Sequence, residues 1–223
     1  MTSTPRHHVR SFIKALAQLT SIAFVSMSLA ACASRVYSAP DGHNNLIPAV
    51  PDYVTLQITD ALICPWGSDG KEWDGDRAVS QDDMNELAEA LAGSYPYTAA
   101  MAVIAGLANE GFASPDPYGF AEIWNNGSWH PIALATSSTN PEDTFHPVWL
   151  RSPGWSHVRV DPNMRVRVTL YDEDLIHDDP IGVAEINYDD ILSALDARQI
   201  VNVRVHDQGQ QQILFIGLSV IAE

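Results

Sequence analysis

Five carboxylates crowd into eight consecutive positions of this chain: Asp172, Glu173, Asp174, Asp178 and Asp179. Two carboxylates about 4 Å apart repel by roughly 4 kcal/mol at an effective dielectric near 20. A hard divalent cation with oxygen ligands removes that cost. Calcium suits a flexible loop of carboxylates and carbonyls, whereas magnesium demands a tight octahedron and keeps its water. The plainer alternative is a solvated acidic hairpin tip. Just before the cluster, Met164, Val166, Val168 and Leu170 alternate with Arg165, Arg167, Thr169 and Tyr171. That period of two marks a half-buried strand. After the cluster, Ile181 and Gly182 begin a second strand that runs to Ile186.

Other segments supply the rest of a β framework. Val54, Leu56 and Ile58 alternate with Thr55, Gln57 and Thr59, which predicts a first strand. Ser114-Pro115-Asp116-Pro117-Tyr118 leads into a strand through Trp124, with Pro117 fixing the backbone at its start. Strands are also expected at 155–160, 200–205 and 213–221, with a short helix over 188–197. Between Ile63 and Asp116 lie some 50 residues of different character. Ser80 and Asp83 form a capping-box-like start for a helix that Gly93 stops. A second helix from Thr98 to about Asn109 is apolar nearly all round, so it must be buried. It packs on the sandwich or the first helix, or it inserts into a membrane, with Tyr95, Tyr97 and Phe112 as interfacial aromatics beside Met101 and Ile104. Upstream, Ser68 to Asp76 offers three further carboxylates, Asp69, Asp74 and Asp76. Asp74 is preferred, since Trp73 can anchor the loop and Gly75 lets it turn.

The run from Leu170 to Gly182 closely resembles the third calcium-binding loop of the C2 domain, a calcium-dependent lipid-binding β-sandwich. Ser114 to Tyr118 resembles the exit of that family's first loop. Thr144-Phe145-His146-Pro147-Val148-Trp149 resembles its second, where the motif shapes a turn and a packed indole. The resemblance implies an all-β fold, an eight-stranded antiparallel C2-like β-sandwich over residues 52–223, in the family's type II strand order. The helical insertion, about 77–113, would lie in the first calcium-binding loop, which is ordinarily short. The implied calcium ligands are Asp116, Asp172, Asp174 and Asp179, with Asp178 as an alternative to Asp179 and Asp74 on the upstream arm.

The first 31 residues read as a secretory signal: Arg6, Arg10 and Lys14, an uncharged apolar run, and Leu29-Ala30-Ala31-Cys32. Those last four residues resemble a bacterial lipobox, which implies lipid modification of Cys32. Residues 32–51 would then be a tether, and the protein would be anchored in the bacterial cell envelope, on the periplasmic or surface face of the outer membrane. A retained membrane helix is the alternative. If Cys32 is not acylated, a disulfide to Cys64, the other cysteine, becomes possible. Cys64 itself, beside Pro65 and Trp66, reads as a small buried hydrophobe.

Charge narrows the function. The chain carries a formal net charge of −16, with 12 basic against 28 acidic residues. Loss of the first 31 residues removes three basic groups and no acidic one. Nucleic acid is therefore excluded as a partner, because binding it needs clustered Lys and Arg. The chain contains no Gly-x-Ser-x-Gly or His-Glu-x-x-His motif. The expected function is a non-catalytic, lipid-anchored module that binds calcium and contacts phospholipid headgroups or an envelope protein. The alternative is a structural or protein-interaction domain that acts through the inserted helices and is at most stabilised by calcium.

Overall fold

Val54, Leu56 and Ile58 all point to one face of strand β1 (Tyr53–Ile63) and are fully buried. Past Ile58 the alternation ends, and every residue from Thr59 to Ile63 is buried. The cause is a second layer of protein on the other face of the strand. Ile63 belongs to the core between the sheets, while Leu62 belongs to a separate core beneath the insertion. The computed structural model describes residues 50–135, 140–174, 178–205 and 212–223. The expected signal peptide, Cys32 and the tether up to residue 49 lie outside them.

The remaining strands are β2 (Pro117–Asn125), β3 (Ser128–Ala133), β4 (Gly154–Arg159), β5 (Arg165–Asp172), β6 (Asp179–Ile186), β7 (Val201–Arg204) and β8 (Ile213–Ala222). They form two four-stranded antiparallel sheets, ordered β4-β1-β8-β7 and β3-β2-β5-β6. The first strand enters the first loop and the last strand lies beside it, which is the strand order expected from the type II resemblance. Inward-facing Ala121, Ile123, Val166, Val168, Leu170, Ile181, Ala184 and Ile186 of one sheet meet Leu56, Ile58, Ile216 and Leu218 of the other. Strand β3 is absent from the sequence reading. Its run Ser-Trp-His-Pro-Ile-Ala is short and contains Pro131, a residue tolerated only at a sheet edge, and β3 is indeed an edge strand. The signal that marks it is Asn126-Gly127, a two-residue hairpin turn with both residues at positive φ.

The insertion folds as two helices, α1 (Gln81–Ala92) and α2 (Pro96–Asn109). Ser80 caps α1 by accepting the Asp83 backbone N–H. Helix α2 starts two residues earlier than the sequence suggests, because Pro96 is preorganised for the first helical turn. Leu87 of α1 and Ala100, Ile104 and Leu107 of α2 pack with Leu62, Cys64, Phe112, Phe145 and Phe215. This corrects the expectation of a membrane-inserting helix. Ile104 and Phe112 are buried in that core, Tyr97 and Met101 pack against it, and only Tyr95 is largely exposed. The helix reads as apolar all round because its outward positions 102, 105 and 108 are alanine. Alanine favours a helix by propensity and needs no apolar partner. Among the described residues, no helix is long and apolar enough to cross a membrane.

A polar network ties α2 to the sandwich. The Tyr97 hydroxyl lies 3.2 Å from His146 Nε2, which lies 3.2 Å from Asp60 Oδ1. Thr59 Oγ1 donates to Asp60 Oδ2 at 2.6 Å. Beneath the insertion, Cys64 is a free, buried thiol. Burial pushes its pKa up to about 12, which makes it a packing group and not a nucleophile. Helix α3 (Tyr188–Ala197) carries a full capping box, Asn187 with Asp190.

Candidate metal centre

The β2–β5 register places Pro117 opposite Asp172, and the β5–β6 register places Asp172 opposite Asp179. The ends of three strands therefore bring Asp116, Asp172 and Asp179 to one pole of the sandwich. Backbone hydrogen bonds lock the first two together. The Asp116 N–H donates to Asp172 Oδ1 at 2.7 Å, and the Glu173 N–H donates to the Asp116 carbonyl at 3.1 Å. The segment between β3 and β4 joins them through the Asp143 N–H, which donates to Asp116 Oδ1 at 2.6 Å, and the Thr144 N–H, which donates to the Pro115 carbonyl at 2.9 Å.

Electrostatics show which carboxylates share this space. Asp172 is 1 % exposed, and its pKa is pushed up to about 7. Burial is the main cause and the Asp116 N–H opposes it; the charges of Asp74, Asp174 and Asp116 raise it further. Asp74, on the insertion's entry arm, is also raised, first by burial and then by Asp116, Asp174 and Asp143. Thus the charges of Asp74, Asp116 and Asp174 all act on Asp172, and these are four of the five expected ligands. Asp143 is a fifth member that the sequence reading missed. Its signal is position: it directly precedes the Thr-Phe-His-Pro-Val-Trp phrase, read only as a turn and an indole anchor. The indole part of that reading holds, with Trp149 2 % exposed.

The other candidates are less enclosed. Asp179 is exposed on the β5–β6 ladder and is not among the charges acting on Asp172 or Asp74. Asp178 accepts the Tyr118 hydroxyl at 2.6 Å and the Asp174 N–H at 3.3 Å. The first of these bonds is the main reason the Tyr118 hydroxyl is pushed up to about 12. Asp69 accepts the Lys71 N–H at 3.0 Å in a turn, and exposed Asp76 pairs with the Lys71 ammonium at 3.4 Å.

The donor chemistry fits a hard cation: every group is a carboxylate, and backbone carbonyls adjoin them. Among the described residues, no Lys, Arg or His pairs with Asp74, Asp116, Asp143, Asp172 or Asp174. Among the same residues, no three His, Cys, Asp or Glu side chains stand close enough to ligate one ion as they are. Ligation therefore requires the carboxylates to close on an ion from these positions.

Comparison with known proteins adds distant likenesses. No family model matches the chain, and no curated protein matches it. A solved structure of human GIVD cytosolic phospholipase A2 with methyl gamma-linolenyl fluorophosphonate aligns at 12% identity, TM-score 0.39, over 77% of this chain and 17% of that one. This chain thus spans about a sixth of the phospholipase's length. A C2 domain of plant extended synaptotagmin 1 aligns at 9% identity, TM-score 0.39, over 78% of this chain and 98% of that one. The structure of BON1-C2B aligns at 14% identity, TM-score 0.36, over 80% and 95%. Similarity at this level adds nothing to the strand order already described. By that order and its two four-stranded antiparallel sheets, the fold is a C2-like β-sandwich with a helical insertion in its first loop.

Proposed function

We propose that this protein is a lipid-anchored cell-envelope module that binds calcium at the acidic pole of its sandwich. The observation that carries this reading is that Asp74, Asp116 and Asp174, from three separate stretches of chain, all raise the pKa of one buried carboxylate, Asp172, with no cation among the described residues paired to any of the four. Those four residues and Asp143 would hold the ion. Bound calcium supplies positive charge at a pole that otherwise repels anions, and it can accept a phosphate oxygen from a phospholipid headgroup or a carboxylate from a protein partner. The chain's own part is to fix the donors: Pro117 and the β2–β5 ladder set Asp116 against Asp172, and the insertion delivers Asp74. Cys32 would hold the module to its membrane.

The test is thermal unfolding of the protein in calcium, in magnesium and in chelator. A ligand that binds only the native state stabilises it by about 2.7 kcal/mol at a hundredfold excess over its dissociation constant. Calcium is expected to raise the melting temperature by several degrees and magnesium much less. An unchanged melting temperature in about 10 mM calcium, ample even for weak extracellular modules, defeats the metal reading.

A second reading, a calcium-independent interaction domain, draws on the observation that no three carboxylates converge as they stand. Calcium-independent capture of a partner by the insertion would favour it. The anchor has its own check: Cys32→Ser is expected to abolish incorporation of labelled fatty acid. Acyl chains contribute about 0.8 kcal/mol per buried CH₂, so detergent-phase partitioning should be lost with them. A wild-type protein carrying no acyl group would refute the anchor.

A further inference from the structure

The pole opposite the carboxylates carries a cleft of about 660 Å³. Strand β2 begins at the acidic pole and ends at this cleft, so the two are separated by the length of nine residues, on the order of 27 Å. Three turns form its walls: the β2–β3 hairpin, the β4–β5 loop and the junction of β6 with α3. The volume lies within the range of ligand-binding clefts, about 300–1,000 Å³.

The lining is of a particular kind. Trp124 and Tyr188 supply aromatic surface, while Asn126, Asn163, Asp161 and Asp189 supply amide and carboxylate groups. Arg165 is the one cation in that lining, and it is outnumbered by the two carboxylates. An anionic ligand is therefore disfavoured, and the chain's net charge of −16 works against it too. A purely apolar ligand would strand four polar side chains in a dry interface. Flat aromatic faces beside closely spaced donors and acceptors suit a molecule whose ring faces are C–H rich and whose edges carry hydroxyls.

The aromatic wall is also stiff. Trp124 meets Trp129 edge to face, with ring centroids 5.5 Å apart. The guanidinium of Arg165 stands 5.8 Å from the Trp124 ring centre and 5.3 Å from that of Trp129. That of Arg167 stands 4.5 Å from the Trp129 ring centre. Arg167 is held in turn by Glu185, with two N–H···O contacts at 3.2 and 2.9 Å. On the loop side, Asp161 Oδ1 accepts both the backbone N–H and the side-chain amide of Asn163, at 2.7 and 3.0 Å. Groups already ordered lose little entropy on binding a ligand. The Tyr188 hydroxyl makes no hydrogen bond among the described residues and is free to serve one.

From this geometry we infer that the cleft binds a neutral oligosaccharide of two or three sugar rings. One ring stacks on Trp124, and its hydroxyls bond Tyr188, Asp189 and the asparagine amides. The inference does not rest on the calcium reading, and binding should be indifferent to chelator.

The test titrates the full chain with chitotriose, cellotriose and maltotriose, each to millimolar concentration. The readouts are tryptophan fluorescence and the indole N–H resonances in NMR. At least one trisaccharide is expected to give a saturable change that includes the Trp124 indole, equally in calcium and in chelator. Trp124→Ala should weaken that binding about thirtyfold, as loss of a central aromatic contact does. Tyr188→Phe should weaken it about fivefold, the worth of one hydrogen bond, and it keeps the fold even if Trp124→Ala does not. No response to any of the three sugars overturns the inference. So does binding that neither substitution alters, or a response confined to residues outside the cleft.

Discussion

Replacing Gly119 by alanine is expected to destabilise the domain by about 3 kcal/mol or more, enough to leave a marginal domain largely unfolded. Gly119 lies in β2, opposite Leu170 of β5, at the centre of its sheet. A Cβ there would stand 2.0 Å from the Thr169 carbonyl oxygen and 3.0 Å from its carbonyl carbon. Those atoms belong to a backbone held in the β5 ladder, so they cannot swing aside as a side-chain tip can. Relief requires the two strands to part. Since β2 delivers Asp116 and β5 delivers Asp172, the acidic pole would be lost with the ladder. Gly106 provides the contrast. It sits inside α2, and a Cβ there meets nothing within 4 Å. Gly106→Ala should therefore stabilise the domain by about 0.8–1 kcal/mol. Urea unfolding of both variants checks the pair. A Gly119→Ala protein with wild-type stability would show that the sheets pack differently from the arrangement described.

Asp172→Asn is expected to abolish the calcium-induced rise in melting temperature while leaving the metal-free domain as stable as wild type, or more so. The asparagine carboxamide oxygen can still accept the Asp116 N–H that Asp172 Oδ1 accepts at 2.7 Å. What is removed is a buried negative charge among three others, and that charge is costly in the absence of an ion. About 2.7 kcal/mol of stabilisation at a hundredfold excess of calcium over the wild-type dissociation constant should disappear. Melting curves of the two proteins, with calcium and with chelator, give the answer. A variant that melts well below wild type in chelator would assign Asp172 a purely structural role. A variant that keeps the full calcium response would move the ion elsewhere.

Much of the framework could be read from residue patterns. Alternation at 54–58 and 164–171 marked β1 and β5, and the helix over 188–197 follows its Asn187 cap. Where the patterns misled, one physical ambiguity lay behind each case. Alanine counts as apolar, so α2 looked buried or membrane-bound on every side, whereas only Ala100, Ile104 and Leu107 are buried. Strand β3 is short and contains a proline, which hides an edge strand from propensity. At the acidic pole, spacing within one loop identified Asp172 and Asp174, and motifs in the first loop pointed to Asp116 and Asp74, but nothing pointed to Asp143. Asp143 reaches the cluster only because its backbone N–H bonds Asp116 across 27 residues of chain. Asp179 satisfies the local spacing, and the β5–β6 pairing sets it opposite Asp172 with its side chain exposed.

The union of β1 with β8 governs the order in which the chain can assemble. Val54 pairs with Ala222 and Ile63 with Ile213, so the central ladder of this sheet closes nearly the whole domain into one loop. Such non-local pairing carries its loop-closure entropy before any contact rewards it, and folding is slow for that reason. Phe215 of β8 also floors the core on which α1 and α2 rest. During synthesis the two helices can form as a local hairpin long before residue 215 exists, but their apolar sides have no β8 surface to dock on. Until the last strand emerges, Leu62, Leu87, Ile104 and Leu107 must be shielded by something other than their final partners. Those side chains are thus the ones that stay exposed to water longest as the chain is made.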